Sequence, residues 1–105
     1  MTVLGFVPNY GTIALSEGAD WVCSLETDSV WPEGTSVWVD FPVLGIRWDA
    51  VVDAGRGVAA FRVEEPETVV EKVPQGARFR LMMSMPGESE STEYVWFTGE
   101  VQRHD

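Results

Sequence analysis

Carboxylates are the one abundant reactive class in this chain, with seventeen Asp and Glu against seven Lys and Arg. Two groups stand out by spacing: Glu64, Glu65, Glu67 and Glu71, then Glu88, Glu90 and Glu93. Hard oxygen ligands of this kind suit Ca²⁺, and a carboxylate pair across a cleft suits glycoside hydrolysis. Neither group has the spacing of a defined calcium loop and nothing specifies a cleft, so both read as solvated acidic faces. Acid–base catalysis near neutral pH usually relies on histidine, and the one present, His104, is penultimate, where termini fray. The single cysteine, Cys23, alternates with Trp21 and Leu25 on an inward face and reads as core filler. It has no His or Cys partners for a transition-metal site and no second thiol for a bridge. The expectation is a domain with no catalytic residues, no metal and no cofactor.

Aromatic residues offer a second kind of chemistry, that of contact. Five tryptophans suit either a sugar-stacking platform or a protein interface, where Trp is enriched at hot spots. Trp21, Trp48 and Trp96 fall at alternating core positions, whereas Trp38 falls opposite in phase to Val37 and Val39, and Trp31 lies beside a turn proline. The N-terminal arm, residues 1–10, carries Leu4, Phe6, Val7 and Tyr10 ahead of a Gly11 break and is too apolar for an idle tail. Leu4, Phe6, Val7, Tyr10, Trp31 and Trp38 are therefore the candidate partner-contact residues.

These side chains must be held by strands, because period-two alternation runs through most of the chain. Ile13 and Leu15 alternate in residues 11–16; Trp21, Cys23 and Leu25 in 19–26; Val37, Val39 and Phe41 in 35–41. Ile46, Trp48, Ala50 and Val52 alternate in 45–53, then Ala59, Phe61 and Val63 in 57–63. Asp53-Ala54-Gly55-Arg56-Gly57 between those last two has the Asp/Gly content of a hairpin loop. Glu65 to Pro74 reads as a helix of at most two turns, with proline near its start and another to stop it. Residues 76–85 and 92–103 form a last pair of strands around a loop at 86–91, with Gly99 as a bulge or bend. About seven antiparallel strands and one short helical crossover describe an all-β, immunoglobulin-like β-sandwich, with a small closed barrel as the alternative. Trp21, Leu25, Val37, Val39, Trp48, Phe61, Phe79, Leu81 and Trp96 are the expected core.

At 105 residues the chain fits one domain, residues 11–105 behind the arm, and can bury an ordinary core without staples. A net charge of −10 repels phosphate backbones, so no nucleic acid is expected as partner. Apolar runs fall far short of the ~20 residues that cross a bilayer, and the first residues lack the basic n-region of a secretory signal. Neither membrane insertion nor secretion is expected, and a lone thiol is compatible with a reducing cytoplasm.

One further pattern is carried by short motifs. Ile13-Ala14-Leu15-Ser16-Glu17-Gly18-Ala19-Asp20-Trp21, Trp31-Pro32-Glu33-Gly34-Thr35, a Trp-centred strand ending Asp49-Ala50-Val51-Val52, and Ala59-Ala60-Phe61 lead to Pro74-Gln75-Gly76-Ala77-Arg78-Phe79-Arg80-Leu81 and Trp96-Phe97-Thr98-Gly99-Glu100-Val101. In this order the chain resembles, over nearly its whole length, the small LtfC-like β-sandwich proteins of phages that infect actinobacteria. The resemblance implies a non-enzymatic virion component of the head, head–tail junction or tail, made in the host cytoplasm and present in many copies. It brings no catalytic residues to transfer. Partners would be other virion proteins, met through their basic patches because this chain is acidic. The alternative from the residues is a carbohydrate-binding module using exposed Trp, or a carboxylate-dependent enzymatic domain.

Overall fold

The computed structural model describes residues 5–87 and 89–105. Its strands are β1 (Asn9–Leu15), β2 (Trp21–Glu26), β3 (Ser36–Phe41), β4 (Ile46–Asp49), β5 (Val51–Asp53), β6 (Val58–Val63), β7 (Arg78–Met85) and β8 (Thr92–Arg103). One sheet has the order β1-β8-β7-β3-β4 and the other β2-β6-β5. The fold is the all-β sandwich expected, and its larger sheet resembles the variable-type immunoglobulin plan, in which two extra strands widen one three-stranded face to five.

The inward rows of the two sheets meet face to face. Val37, Val39, Phe41, Phe79, Leu81 and Val101 from the larger sheet bury against Ala59, Phe61 and Val63 from the smaller one. Burying each large side chain contributes roughly 1.5–3 kcal/mol, so the alternating rows supply the main driving force. Of the nine expected core residues, Trp21, Leu25 and Trp96 are only half-buried at the rim, while the other six are buried.

Three local departures follow from hydrogen bonding that a single-strand pattern does not reveal. The run from Ile46 to Asp53 is two strands, because the chain leaves the larger sheet after Asp49 and enters the smaller at Val51. Ala50 N–H still donates to Val37 O at 2.9 Å, which ties the corner to β3. The hairpin over 53–57 forms as expected, as a 3₁₀ turn at Ala54–Arg56 closed by left-handed Gly57. The crossover after β6 has a single 3₁₀ turn, Glu65–Glu67.

The third departure concerns β1. It is not antiparallel to its neighbour: β1 and β2 lie in different sheets, and β1 runs parallel to β8 from Asn9 opposite Phe97 to Leu15 opposite Arg103. Asn9 and Tyr10 thus belong to the sheet, two residues before the expected domain start. Gly11 is no break; it sits inside β1 opposite Gly99. Nor is Gly99 a bulge, for it pairs in register with Phe79. It is buried between the two neighbouring strands, and a Cβ there would collide with the Gly11 carbonyl oxygen and come within 3.2 Å of Phe79 Cε1. Only glycine permits this approach of the Gly11 backbone on one side and the Phe79 ring on the other.

The end of the sandwich where β1 and β8 finish is closed by one cation. The Arg103 side chain is only 4% exposed. Its Nη1 donates to the carbonyls of Thr68 at 2.8 Å and Val73 at 2.9 Å, Nη2 reaches Glu17 Oε2 at 3.2 Å, and Nε reaches Asp105 Oδ2 at 2.7 Å. Asp105 Oδ1 in turn accepts the Glu17 N–H at 2.6 Å. Buried Thr68 adds a hydroxyl bond to Ala19 O at 2.9 Å. The guanidinium therefore joins the last strand, the β6–β7 crossover, the β1–β2 turn and the C-terminus. Hydrogen bonding to Asp105 raises the Arg103 pKa, and the same bond is the main cause that lowers the Asp105 carboxyl.

Gly99→Ala should cost more than about 2 kcal/mol, because the backbone of β1 at Gly11 must move away; chemical denaturation measures it. Arg103→Met should cost about 3 kcal/mol by stranding two carbonyls and two carboxylates. A carboxyl whose folded pKa is depressed adds stability above its unfolded pKa and loses it as pH falls through the folded value. Asp105→Asn should accordingly lower the melting temperature at pH 7, and the gap from the parent should close as pH is taken from about 4 towards 2.

Candidate functional site

At the opposite end of β8 the sheets part to leave an apolar groove of about 310 Å³, lined by Phe6, Thr27, Trp31, Met83, Met85, Tyr94 and Trp96. Its geometry begins with a bulge. Leu81 faces Phe97 but Met82 faces Val95, so Trp96 is an extra residue in β8. An extra residue resets the alternation. Tyr94 and Trp96 keep inward phase before it, and Phe97, Gly99 and Val101 keep it after. Trp96 is thereby turned into the groove while Phe97 lines a separate cleft beside Cys23.

The facing wall comes from the β2–β3 connection. Trp31, only 5% exposed, meets the Trp96 ring edge-on with centroids 5.9 Å apart. Its backbone N–H donates to Ala54 O at 2.8 Å. Thr27 N–H donates to Gly57 O at 2.9 Å, and its hydroxyl reaches the same oxygen at 3.2 Å. Gly57 has φ +64°, and a Cβ there would strike Ser29 O and lie 2.6 Å from Thr27 Oγ1. Met83 and Met85 come from the inward row of β7, and Phe6 covers one side with its ring 5.3 Å from that of Tyr94.

Of the contact residues expected from sequence, Phe6 and Trp31 are brought together here. Trp31, a contact candidate only if it faced outward, is a core wall, buried because its loop is tied to the β5–β6 turn. Phe6, Val7 and Tyr10 are 56%, 61% and 72% exposed. Trp38 is half-buried on the outer face of the larger sheet, with the Arg47 guanidinium 4.3 Å above its ring. Leu4 lies outside the described residues. Tyr94, Met83 and Met85 were legible only as core positions; the run Leu81-Met82-Met83-Ser84-Met85 is the signal that marks them, since thioethers adapt to irregular partners.

Among the described residues the polar groups of the lining side chains are the Thr27 and Tyr94 hydroxyls and the indole N–H groups of Trp31 and Trp96, so the groove is suited to an apolar or aromatic side chain. Among the described residues no three His, Cys, Asp or Glu converge to hold a metal ion, and the carboxylates flanking the crossover point apart into ion pairs such as Lys72–Glu67 and Arg62–Glu64. Cys23 is half-buried in the apolar cleft between β1 and β2, and burial pushes its thiol pKa up, so it is protonated at neutral pH.

Two immunoglobulin-like sheets, tied together at one end and open at the other onto an apolar groove, define a small β-sandwich domain. The chain belongs to the LtfC-like β-sandwich domain family, whose model matches residues 7–104. The match takes in every groove residue except Phe6. No curated protein matches the chain.

Gly57→Ala forces a non-glycine residue into the left-handed region against two oxygens. It should destabilise the domain by more than about 2 kcal/mol and, by shifting the Thr27–Trp31 loop, alter the near-ultraviolet circular dichroism of the Trp31–Trp96 pair.

Proposed function

We propose that this domain is a non-enzymatic structural protein of a phage particle, in head decoration, head–tail junction or tail, that works through protein–protein contacts. On this reading it is made in the host cytoplasm and built into virions in many copies. The observation that carries the reading is the apolar groove together with the arm at its mouth. Phe6, Val7 and Tyr10 leave large apolar surface in water, which a monomer gains nothing by showing and a partner gains by covering. Membership of the LtfC-like family supports it. A net charge of −10 favours basic patches on the partner and makes attachment sensitive to salt.

A carbohydrate-binding role draws less support. Sugar stacking needs an open ring face, yet Trp21, Trp31, Trp48 and Trp96 are buried or half-buried, and Arg47 lies over Trp38.

Removal of residues 1–7 leaves β1 whole, so the truncated protein should melt close to the parent. Its copy number in purified particles, measured by quantitative mass spectrometry, should fall to a small fraction of the parent's. Full incorporation of the truncated protein would clear the arm of this role.

A further inference from the structure

We infer that the outer face of the larger sheet is a self-association surface, on which a second copy of this chain docks by a two-fold axis. Register places Val95, Met82 and Trp38 side by side across β8, β7 and β3. All three are half-buried on the side turned away from the core. Outward positions of a solvated sandwich are ordinarily polar, so three contiguous apolar side chains in the middle of the face need a cover. The next row runs Tyr10, Thr98, Arg80, Asp40 and Arg47 across all five strands. Tyr10 adds exposed aromatic surface at one edge, and the Arg47–Trp38 stack makes a flat shoulder at the other.

Charge identifies the occupant. The outward positions of these strands bear Arg47, Arg78 and Arg80 against Asp40, Asp49, Glu93 and Glu100. Three positive and four negative charges leave four against thirteen on the rest of the molecule. The smaller sheet is also near neutral, with Arg62 against Glu26 and Asp53, but its three short strands offer less than half the area; the connecting segments and the ends carry the remaining three positive and eleven negative charges and repel a copy, whereas here the net is close to zero and the signs are interleaved. Arg80 already pairs with Asp40, and Arg47 with Asp49 at 2.9 Å, so an identical face would bring no unpaired charge against them. A two-fold contact of this kind is self-complementary, because each patch meets its own image. A basic partner, in contrast, is drawn to the strongly acidic remainder and away from this face.

The area suffices. Five strands about 4.8 Å apart and seven residues of about 3.3 Å each span roughly 550 Å². Two such faces bury on the order of 1,100 Å², just above the ~1,000 Å² that separates specific contacts from incidental ones. A contact of that size stands at the weak end of specific association.

Sedimentation equilibrium of the purified protein over roughly 5–500 μM tests this without any phage particle, so the outcome is separate from that of the virion reading. The parent should pass from monomer to dimer mass across the range. Met82→Glu, which puts a charge at the centre of the patch, should weaken association at least about tenfold. Arg80→Glu, at an exposed site that no core packing depends on, should do the same by leaving two positive charges against five negative. Val51→Glu, on the exposed outer side of the smaller sheet, should leave association unchanged, and melting curves confirm folding of all three. A parent that stays monomeric throughout would overturn the inference, as would a dimer that survives both Met82→Glu and Arg80→Glu or is abolished by Val51→Glu.

Discussion

A single buried guanidinium sets the frame for this fold. Every other cation in the described structure is solvent-exposed, and ion pairs in such positions contribute little. Arg103 differs because two of its bonds go to backbone carbonyls of the β6–β7 crossover, groups that would otherwise be buried without donors. The crossover has almost no regular structure of its own beyond one 3₁₀ turn. What holds it is Arg103 from one side and the buried Thr68 hydroxyl from within. With that end fixed, β1 can close the edge of the larger sheet and the chain reversal into β2 is anchored through Glu17. The far end of the sandwich is then free to stay open as a groove.

Much of the fold was legible in the sequence, because each strand buries one face and a period of two is unambiguous over six to eight residues. Val37, Val39 and Phe41, or Phe79, Leu81 and Met83, announce both strand and register. What escaped that reading involves pairing and not pattern. Ala50 continues the alternation of β4 into β5, so the jump between sheets leaves no mark on the sequence. The bulge of β8 does leave a mark, since Val101 is out of phase with Tyr94 and Trp96, but that mark fits a bulge at Gly99 equally well, and only the pairing of Met82 with Val95 puts it at Trp96 and turns Phe97 and Gly99 inward. Gly11 and Gly99 each looked like an interruption, and their meaning emerges only when they face each other.

The candidate site was legible in part for the same reason. The arm's apolar content, Phe6 above all, flagged one side of the groove. Trp31 was singled out for the wrong cause, since its neighbour Pro32 suggested a surface turn while the bond to Ala54 O draws the ring inward. Arg103 gave no signal, because a cation two residues before the last has the look of a solvated tail. Its burial depends on Thr68 and Val73, thirty or more positions away in the chain.

The parallel pairing of β1 with β8 also determines how the domain carries load. Parallel neighbours put the start of β1 at the groove end and the finish of β8 at the tied end, so the two termini leave the sandwich in opposite directions. Tension between them slides β1 along β8 and loads the bonds of that ladder together, including the one from His104 N–H to Leu15 O at 2.8 Å. A hairpin pulled from its open end would yield one bond at a time. The sandwich is thus arranged to resist stretching along its strands, the direction in which a part held at both ends would be strained.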